Sequence, residues 1–276
     1  MRRLRKFAGS VLFYLFVIFV TAFYALPLLW LVFTPFNPRA TLAVEIPAQP
    51  TLDNFREVFG NTFAMRAIGQ NNLILATGTM VGVTLIATLT AYALSRARVP
   101  GRDYLSYILI LFSSVVTGTA AMVPIFLIIS AMRLIDTHLG VILVFIGGYV
   151  PSAIFIMRDF VDGIPRSYEE SALVSGATPW RVFLDVALPL VRPGMMVIAI
   201  WAFVHAWGAF LVPFVLLRSP ENMPASTAIY SFYTEAGTPN ITLVSAYSLL
   251  YALPVLVLYL LVNWRYGFRF FGGIKR

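Results

Sequence analysis

Six stretches of the chain stay apolar long enough to cross a lipid bilayer, and the charged positions fall between them. A helix rising 1.5 Å per residue needs about 20 apolar residues to span the hydrocarbon core. The runs Ala8–Phe33, Asn71–Ser95, Tyr104–Met132, Leu139–Met157, Pro193–Leu217 and Val244–Asn263 meet that length and predict six transmembrane helices. No Asp, Glu, Lys or Arg lies inside any of the six windows, as the cost of placing a charge in hydrocarbon requires. Two intervening segments are longer than the roughly 2–8 residues that merely join helices. One spans about 34–70 and contains "PAQPTLDNFREVF"; the other spans 158–192 and reads, over 169–189, "EESALVSGATPWRVFLDVALP".

Composition strengthens the membrane reading. The chain is 59% hydrophobic and 12% charged, against about 45–50% and 25% in soluble domains. The pattern predicts one all-α transmembrane domain over residues 1–276, with no internal repeat. The first run follows Arg2, Arg3, Arg5 and Lys6, but it is longer than a secretory h-region and has no A-x-A-like site, so it reads as an uncleaved first helix.

The net charge of +8 raises the question of nucleic acid, and the placement of the bases answers it. Only Arg39, Arg56, Arg66, Arg133 and Arg218 of the 20 Lys and Arg lie on one side of the predicted spans. The rest flank the other side, which by the positive-inside rule puts both termini in the cytoplasm. Bases spread in this way are topology signals and form no groove-tracking patch, so no nucleic-acid partner is expected. The absence of cysteine excludes disulfides and thiolate chemistry. Two distant histidines, His138 and His205, make no zinc site. There is no GxxxxGK loop to hold nucleotide phosphates.

Pro27, Pro124, Pro151, Pro213 and Pro254 each fall inside a predicted helix. Such prolines free a carbonyl and serve as hinges or cavity linings in transporters, although proline is common in membrane helices generally. His205 lies near Trp201, Trp207 and Phe210 in the fifth run. Aromatic faces with a polar group suit a sugar pathway, and an interhelical hydrogen bond is the plainer role for the imidazole. Asn71 and Asn72 read as interfacial caps or bundle hydrogen bonds.

Within the soluble-looking stretch, Ser167 and Glu170 have the spacing of a capping box. That predicts a helix from Tyr168 to about Ser175, stopped at Gly176, which takes a left-handed cap without a Cβ penalty. Thr178 as cap and Pro179 at the first position open a second helix, and Pro189 is expected to push Leu188 out of the α region and end it. By chemistry alone these two short helices could equally rest on lipid headgroups.

The spacing goes further. Glu170-Ser171-Ala172, three residues, Gly176, nine residues, then Val186-x-Leu188-Pro189 resembles the EAA signature of ABC importer permeases, E-A-A-x3-G-x9-I-x-L-P. Ser171 and Val186 are the substitutions, and Ser175 stands where the family commonly has Asp. "PTLDNFREVF", "AYALSRARVPGR", "LIDTHLGVIL", "FIMRDFVDGIPRSYEESA" and the closing "GGIKR" look like the carbohydrate-uptake permeases of the maltose and glycerol-3-phosphate type, smaller subunit. The resemblance implies a type I importer fold, in the plasma membrane of a bacterium or archaeon. It implies that 158–192 couples to an ATPase through Ser167, Glu169, Glu170, Ser171, Ala172, Ser175, Gly176, Ala177, Thr178, Pro179, Val186, Leu188 and Pro189, with Glu170 meeting a basic residue there. It also implies that the tail 265–276 lies near the ATPase dimer. The expected partners are a second permease, two ATPase copies that hold ATP and magnesium, an extracytoplasmic solute-binding protein and the bilayer. No cofactor and no catalytic residue is expected in this chain. Where such permeases often have a Trp-Asn-acid-Phe run, this chain reads Trp207-Gly208-Ala209-Phe210. Other readings are an ABC permease for a peptide, polyamine or oxyanion, or a channel or ion-coupled carrier acting alone.

Overall fold

Runs of Leu, Ile, Val, Phe and Ala with few backbone-competing residues give helices, and the computed structural model is helical throughout its ordered elements. It describes residues 2–97, 101, 104, 107–108, 111 and 118–266. Helices α1 (Arg2–Phe33), α2 (Asp53–Gly60), α3 (Thr62–Arg96), α4 (Met122–Ala131), α5 (His138–Asp162), α6 (Arg166–Val174), α7 (Pro179–Trp207), α8 (Leu211–Leu216), α9 (Ala225–Ala228) and α10 (Ile241–Tyr266) follow in order. Among the described residues five helices are long and apolar enough to cross a membrane: Leu12–Phe36, Thr62–Arg96, His138–Asp162, Pro179–Trp207 and Ile241–Trp264. Within the predicted window 104–132, residues 105–106, 109–110 and 112–117 lie outside the described residues, as do Arg98, Arg102 and 267–276.

The residues divide into two compact units, 66–228 and 1–65 with 229–276. In the larger unit α3, α5 and α7 pack on one another around Val83, Ala87, Ala91, Ala153, Met157, Val191 and Ile198. Small residues let the backbones close up. A Cβ built on Gly78 or Gly82 would meet Ile142 Cδ1 at 2.6 Å or Ile146 Cδ1 at 2.3 Å. Those isoleucines, one helical turn apart on α5, fill the notches that the two glycines leave on α3. Gly194 of α7 gives the same access to the Phe160 ring, whose Cγ would lie 2.5 Å from its Cβ.

In the smaller unit α10 packs on α2 and on the 3₁₀ turn Thr34–Phe36 that follows α1. The buried Asn54 donates to the Pro35 and Asn37 carbonyls at 2.9 and 3.2 Å. Phe36 stacks near Phe55, and Phe232 near Tyr247. Among the described residues most apolar side chains of α1 between Leu12 and Leu29 are exposed.

Two sequence expectations change here. The fifth window, Pro193–Leu217, does not hold as one helix: α7 starts earlier, at Pro179, and stops at Trp207, and α8 comes after a break at Gly208–Phe210. Pro189 does not end a helix either. Leu188 stays α-helical (φ −58°, ψ −44°) because Val182–Ala187 forms a π-turn that widens the backbone ahead of the proline. The wider turn accommodates the ring that a regular turn would exclude and needs no N–H from residue 189. Pro27, Pro151, Pro193 and Pro254 lie inside helices. Pro124 and Pro213 sit in first turns, where a missing N–H costs nothing.

Candidate functional site

The stretch 166–189 folds from local chemistry. Helix α6 begins at Arg166 with Pro165 at its N-cap position and no side-chain cap. Ser167 is therefore inside the helix and the predicted capping box does not form: Pro165, with φ near −59°, already turns the chain two residues earlier. The serines bond backwards instead, Ser171 Oγ to the Ser167 carbonyl (2.7 Å) and Ser175 Oγ to the Ser171 carbonyl (2.8 Å). Gly176 has φ +88°. Its N–H donates to Leu173 O and that of Ala177 to Ala172 O, at 2.9 and 3.0 Å, the paired bonds of a Schellman stop. Thr178 Oγ1 then accepts from the Arg181 N–H and Pro179 takes the first position of the next helix. Val174 (90% exposed), Trp180 (61%), Tyr168 and Leu173 present an apolar surface around the turn, beside the exposed Glu170.

Beyond the turn the chain runs on as one helix of 29 residues, α7, and not as a second short one. Thr178, Pro179 and Trp180 therefore stand at the end of a continuous rod that carries Val186, Leu188, Pro189 and, further on, Trp201 and His205.

Of the two acids, Glu169 is buried. Its Oε1 accepts from Arg96 Nε (2.8 Å) and lies 2.7 Å from Arg96 Nη2; its Oε2 accepts from the Tyr92 hydroxyl (3.1 Å). The same guanidinium donates to the Val161 and Ile164 carbonyls at 3.2 and 3.3 Å and to Ser95 Oγ at 3.0 Å. Ser95 Oγ also donates to Asp162, and Arg158 lies 3.7 Å from Asp162. Arg166 Nη2 reaches the Ser95 carbonyl at 3.3 Å. Tyr92 and Arg96 lie in the stretch AYALSRARVPGR, which carries part of the family resemblance, but no spacing signal pairs either of them with Glu169.

The candidate pathway residues separate. Trp201, His205 and Tyr149 form one aromatic group, with ring centroids 4.5 Å (Trp201–His205), 5.5 Å (Tyr149–Trp201) and 6.0 Å (Tyr149–His205) apart. Phe145 stacks on Tyr149 within 7° of parallel. Trp207 is buried against Phe203, and Phe210 stacks on Phe214. The expected interhelical bond of His205 is replaced by one within α7, Nδ1–H to the Trp201 carbonyl at 2.8 Å. The i,i+4 carbonyl is the nearest acceptor, and it leaves Nε2 as the acceptor of the neutral ring. Asn71 and Asn72 do make bundle hydrogen bonds, to the Glu221 and Met223 carbonyls (2.7 and 2.9 Å) and to the Trp207 carbonyl (3.2 Å). Among the described residues no group of His, Asp and Glu is placed to hold a metal ion.

A second polar cluster secures the loop before α5. Asp136, at φ +61°, accepts from the Arg218 and Ser219 N–H groups (2.9 and 3.0 Å) and from the Ser219 hydroxyl. Burial pushes its carboxyl up, but those donors prevail and hold it down at about 2, against 3.8 for a free side chain. A depressed carboxylate stabilises above its unfolded value and loses that effect as pH falls through the folded one. The 216–222 segment should therefore keep its attachment at pH 4 and loosen towards pH 2. Amide exchange of that segment reads this directly, and Asp136→Ala should raise exchange at neutral pH by about tenfold, as loss of a contact near 1.4 kcal/mol implies. Unchanged exchange in the variant would remove Asp136 from this role.

Comparison with known proteins places this geometry. Residues 97–268 match the family model described as binding-protein-dependent transport system inner membrane component. The chain is 30% identical over 265 residues to a galactooligosaccharides transport system permease protein of Bacillus subtilis, covering 95% of this chain and 93% of that one. It is 31% identical to a maltodextrin transport system permease protein of the same species (89% and 88% covered) and 31% identical to a trehalose transport system permease protein of Mycobacterium tuberculosis (89% and 90% covered). In fold it is similar to a chain of a bacterial ABC transporter involved in import of the acidic polysaccharide alginate, with a TM-score of 0.77 at 21% identity over 96% of this chain and 97% of that one. The same comparison with the alginate transporter in complex with a pentasaccharide-bound periplasmic protein gives 0.70 at 19% identity. With its signature loop, its bundle of apolar helices and a family match over most of its length, the chain belongs to the inner membrane components of binding-protein-dependent transport systems.

Proposed function

We propose that the chain is the transmembrane permease subunit of an ATP-driven ABC importer that moves a sugar or sugar-like solute into the cytoplasm by alternating access. The solute class is an oligosaccharide, a polyol or a phosphate ester of a sugar or glycerol. The observation that carries the reading is the Gly176 turn: it presents the signature residues at the end of α7, the helix that bears Trp201 and His205, which pack on Tyr149 of α5. Relatives at about 30% identity are permeases for galactooligosaccharides, maltodextrin and trehalose, which supports the sugar class.

In this reading six helices cross the membrane, both termini are cytoplasmic, and a second permease and lipid cover the exposed α1. A pair of cytoplasmic ATPase subunits holds ATP and magnesium and grips 166–181; a solute-binding protein delivers cargo from outside. This chain does no chemistry on bonds. Closure of the ATPase pair displaces the turn, and α7, a helix of 29 residues, passes that displacement along to the aromatic group. Aromatic faces suit the apolar faces of sugar rings, and His205 Nε2 offers an acceptor to a hydroxyl.

The test is co-expression with the second permease, the ATPase subunit and the solute-binding protein of the same transport system. The unmutated chain should co-purify the ATPase, and Glu170→Arg, a reversed charge on an exposed contact, should lower recovery by about tenfold or more. Thermal stabilisation of the binding protein by maltodextrin, galactooligosaccharides or trehalose supports the cargo class; stabilisation by a peptide, polyamine or oxyanion replaces it. If no ATPase ever associates with the unmutated chain, the reading fails in favour of a channel or carrier acting alone.

A further inference from the structure

The signature glutamate of the loop, Glu170, is exposed, yet the acid beside it is the one that the structure invests with partners. Glu169 is 7% exposed and occupied on both oxygens, by Arg96 and by Tyr92 of α3. Arg96 in turn reaches the Val161 and Ile164 carbonyls, which close α5 and the turn after it. One guanidinium thus joins α3 to α5 and α6 through partners 65 to 73 residues away from it in sequence. Ser95, Asp162, Arg158 and Arg166 surround it with further polar contacts to the same three elements.

A buried ion pair is a poor source of stability, because desolvation offsets its Coulomb attraction. It is strict about geometry, and Arg is strict where Lys is not: its planar fork serves several acceptors at once in fixed directions, and an ammonium offers only a point charge. Nothing about folding a membrane bundle asks for such a group here. A part that must transmit displacement does, since a loop pushed at Val174 and Trp180 would bend unless its root were fixed.

Resting on the coupling reading above, we propose that Arg96 is a positioning residue that, through Glu169 and the α5 carbonyls, locks α6 to the ends of α3 and α5. A push on the Gly176 turn then moves the three-helix core as one body. The two neighbouring acids divide the work. Glu170 faces outward to the motor and Glu169 faces inward to the bundle.

Because this chain has no cysteine, a spin-label pair can be placed at Val174→Cys on α6 and Leu89→Cys on α3, with the other subunits in cysteine-free form and the labelled parent first shown to co-purify the ATPase. Both sites are exposed. Distances are read by double electron–electron resonance in the full complex with its ATPase, without nucleotide and with ATP bound, and in the chain alone in lipid nanodiscs. The parent should give one narrow distribution that keeps its mean when ATP binds. Glu169→Gln and Arg96→Lys should lose that narrow distribution, in the chain alone as well as in the complex, while the ATPase still co-purifies. Glu170→Gln should do the opposite, weakening co-purification and leaving the distribution narrow. Arg96→Lys keeps the charge, so it serves if Glu169→Gln fails to fold.

A narrow, parent-like distribution in both Arg96→Lys and Glu169→Gln overturns the proposal. So does a parent whose distance shifts on ATP binding, which would mean that α6 moves against α3. Failure of the parent to bind any ATPase overturns the coupling reading itself and is recognised separately, because the distances in the chain alone still report whether the lock exists.

Discussion

Gly176→Val is expected to abolish capture of the ATPase and with it transport, while the helical bundle still folds. The glycine sits at φ +88°, and no heavy atom lies within 4 Å of where a Cβ would project. Space is therefore not the constraint; backbone conformation is. An L-residue held left-handed costs about 1–2 kcal/mol, and more when branched at Cβ. The exposed turn can relieve that strain by moving to negative φ, which breaks the Gly176–Leu173 and Ala177–Ala172 bonds and re-aims α6 relative to α7. The angle between them is what a motor subunit would recognise. Gly176→Asn should retain most of the function, since asparagine tolerates the left-handed region, and Gly176→Ala should fall between. Co-purification of the ATPase measures all three. Equal recovery with glycine and valine would sink the idea that the turn angle matters.

Gly140→Ala should be the most damaging of the single-methyl additions to the bundle. Its Cβ would lie 2.4 Å from the Leu134 carbonyl oxygen and 3.2 Å from Ile129 Cγ2. That carbonyl cannot retreat freely: it accepts the Thr137 hydroxyl at 2.8 Å, and Leu134 N–H is bonded to Ile129 at 3.0 Å. Overpacking against a fixed backbone costs about 2–3 kcal/mol. Gly82→Ala makes an even closer nominal contact, 2.3 Å, but only with the tip of Ile146. That side chain can change rotamer, and the alanine recovers about 0.5–1 kcal/mol of helix propensity, so the net cost should be near zero to 1 kcal/mol. Thermal unfolding in detergent separates the two. Ile146→Val should restore whatever Gly82→Ala loses and should do nothing for Gly140→Ala. Comparable losses in the two alanine variants would contradict the argument from backbone rigidity.

The range of each interaction decides which features could be read from sequence. The Gly176 stop, the Thr178 cap and the Pro179 start were legible because each rests on residues within about one helical turn. Apolar run length located the long helices for the same reason. Errors came where a local rule met a competing local geometry. Ser167 and Glu170 have capping-box spacing, but Pro165 starts the helix two residues too early for it. Pro189 is a stop signal in a regular helix and ceases to be one behind a π-turn, which no residue type announces. The Arg96–Glu169 pair was out of reach altogether. Its members are 73 residues apart, and the sequence offers two adjacent acids with nothing to say which one faces inward.

The π-turn at Val182–Ala187 has a consequence for how this helix can change over time. Such a turn contains one residue more than the α-helical turn it replaces, and each residue of an α-helix carries the chain about 100° around the axis. The azimuth of the Trp201–His205 face relative to Trp180 is therefore set by that one extra residue. Closing the turn to regular α-helix with all its residues kept would rotate one face about 100° past the other, whereas deleting one residue from 182–187 would close the turn and leave the two faces in register. A second π-turn, Ala67–Asn72, sits at the start of α3 and sets the phase of Asn71 and Asn72 in the same way. For these two helices, opening or closing a π-turn at constant length is the coarse adjustment of phase, and loss of the extra residue fixes the phase in place.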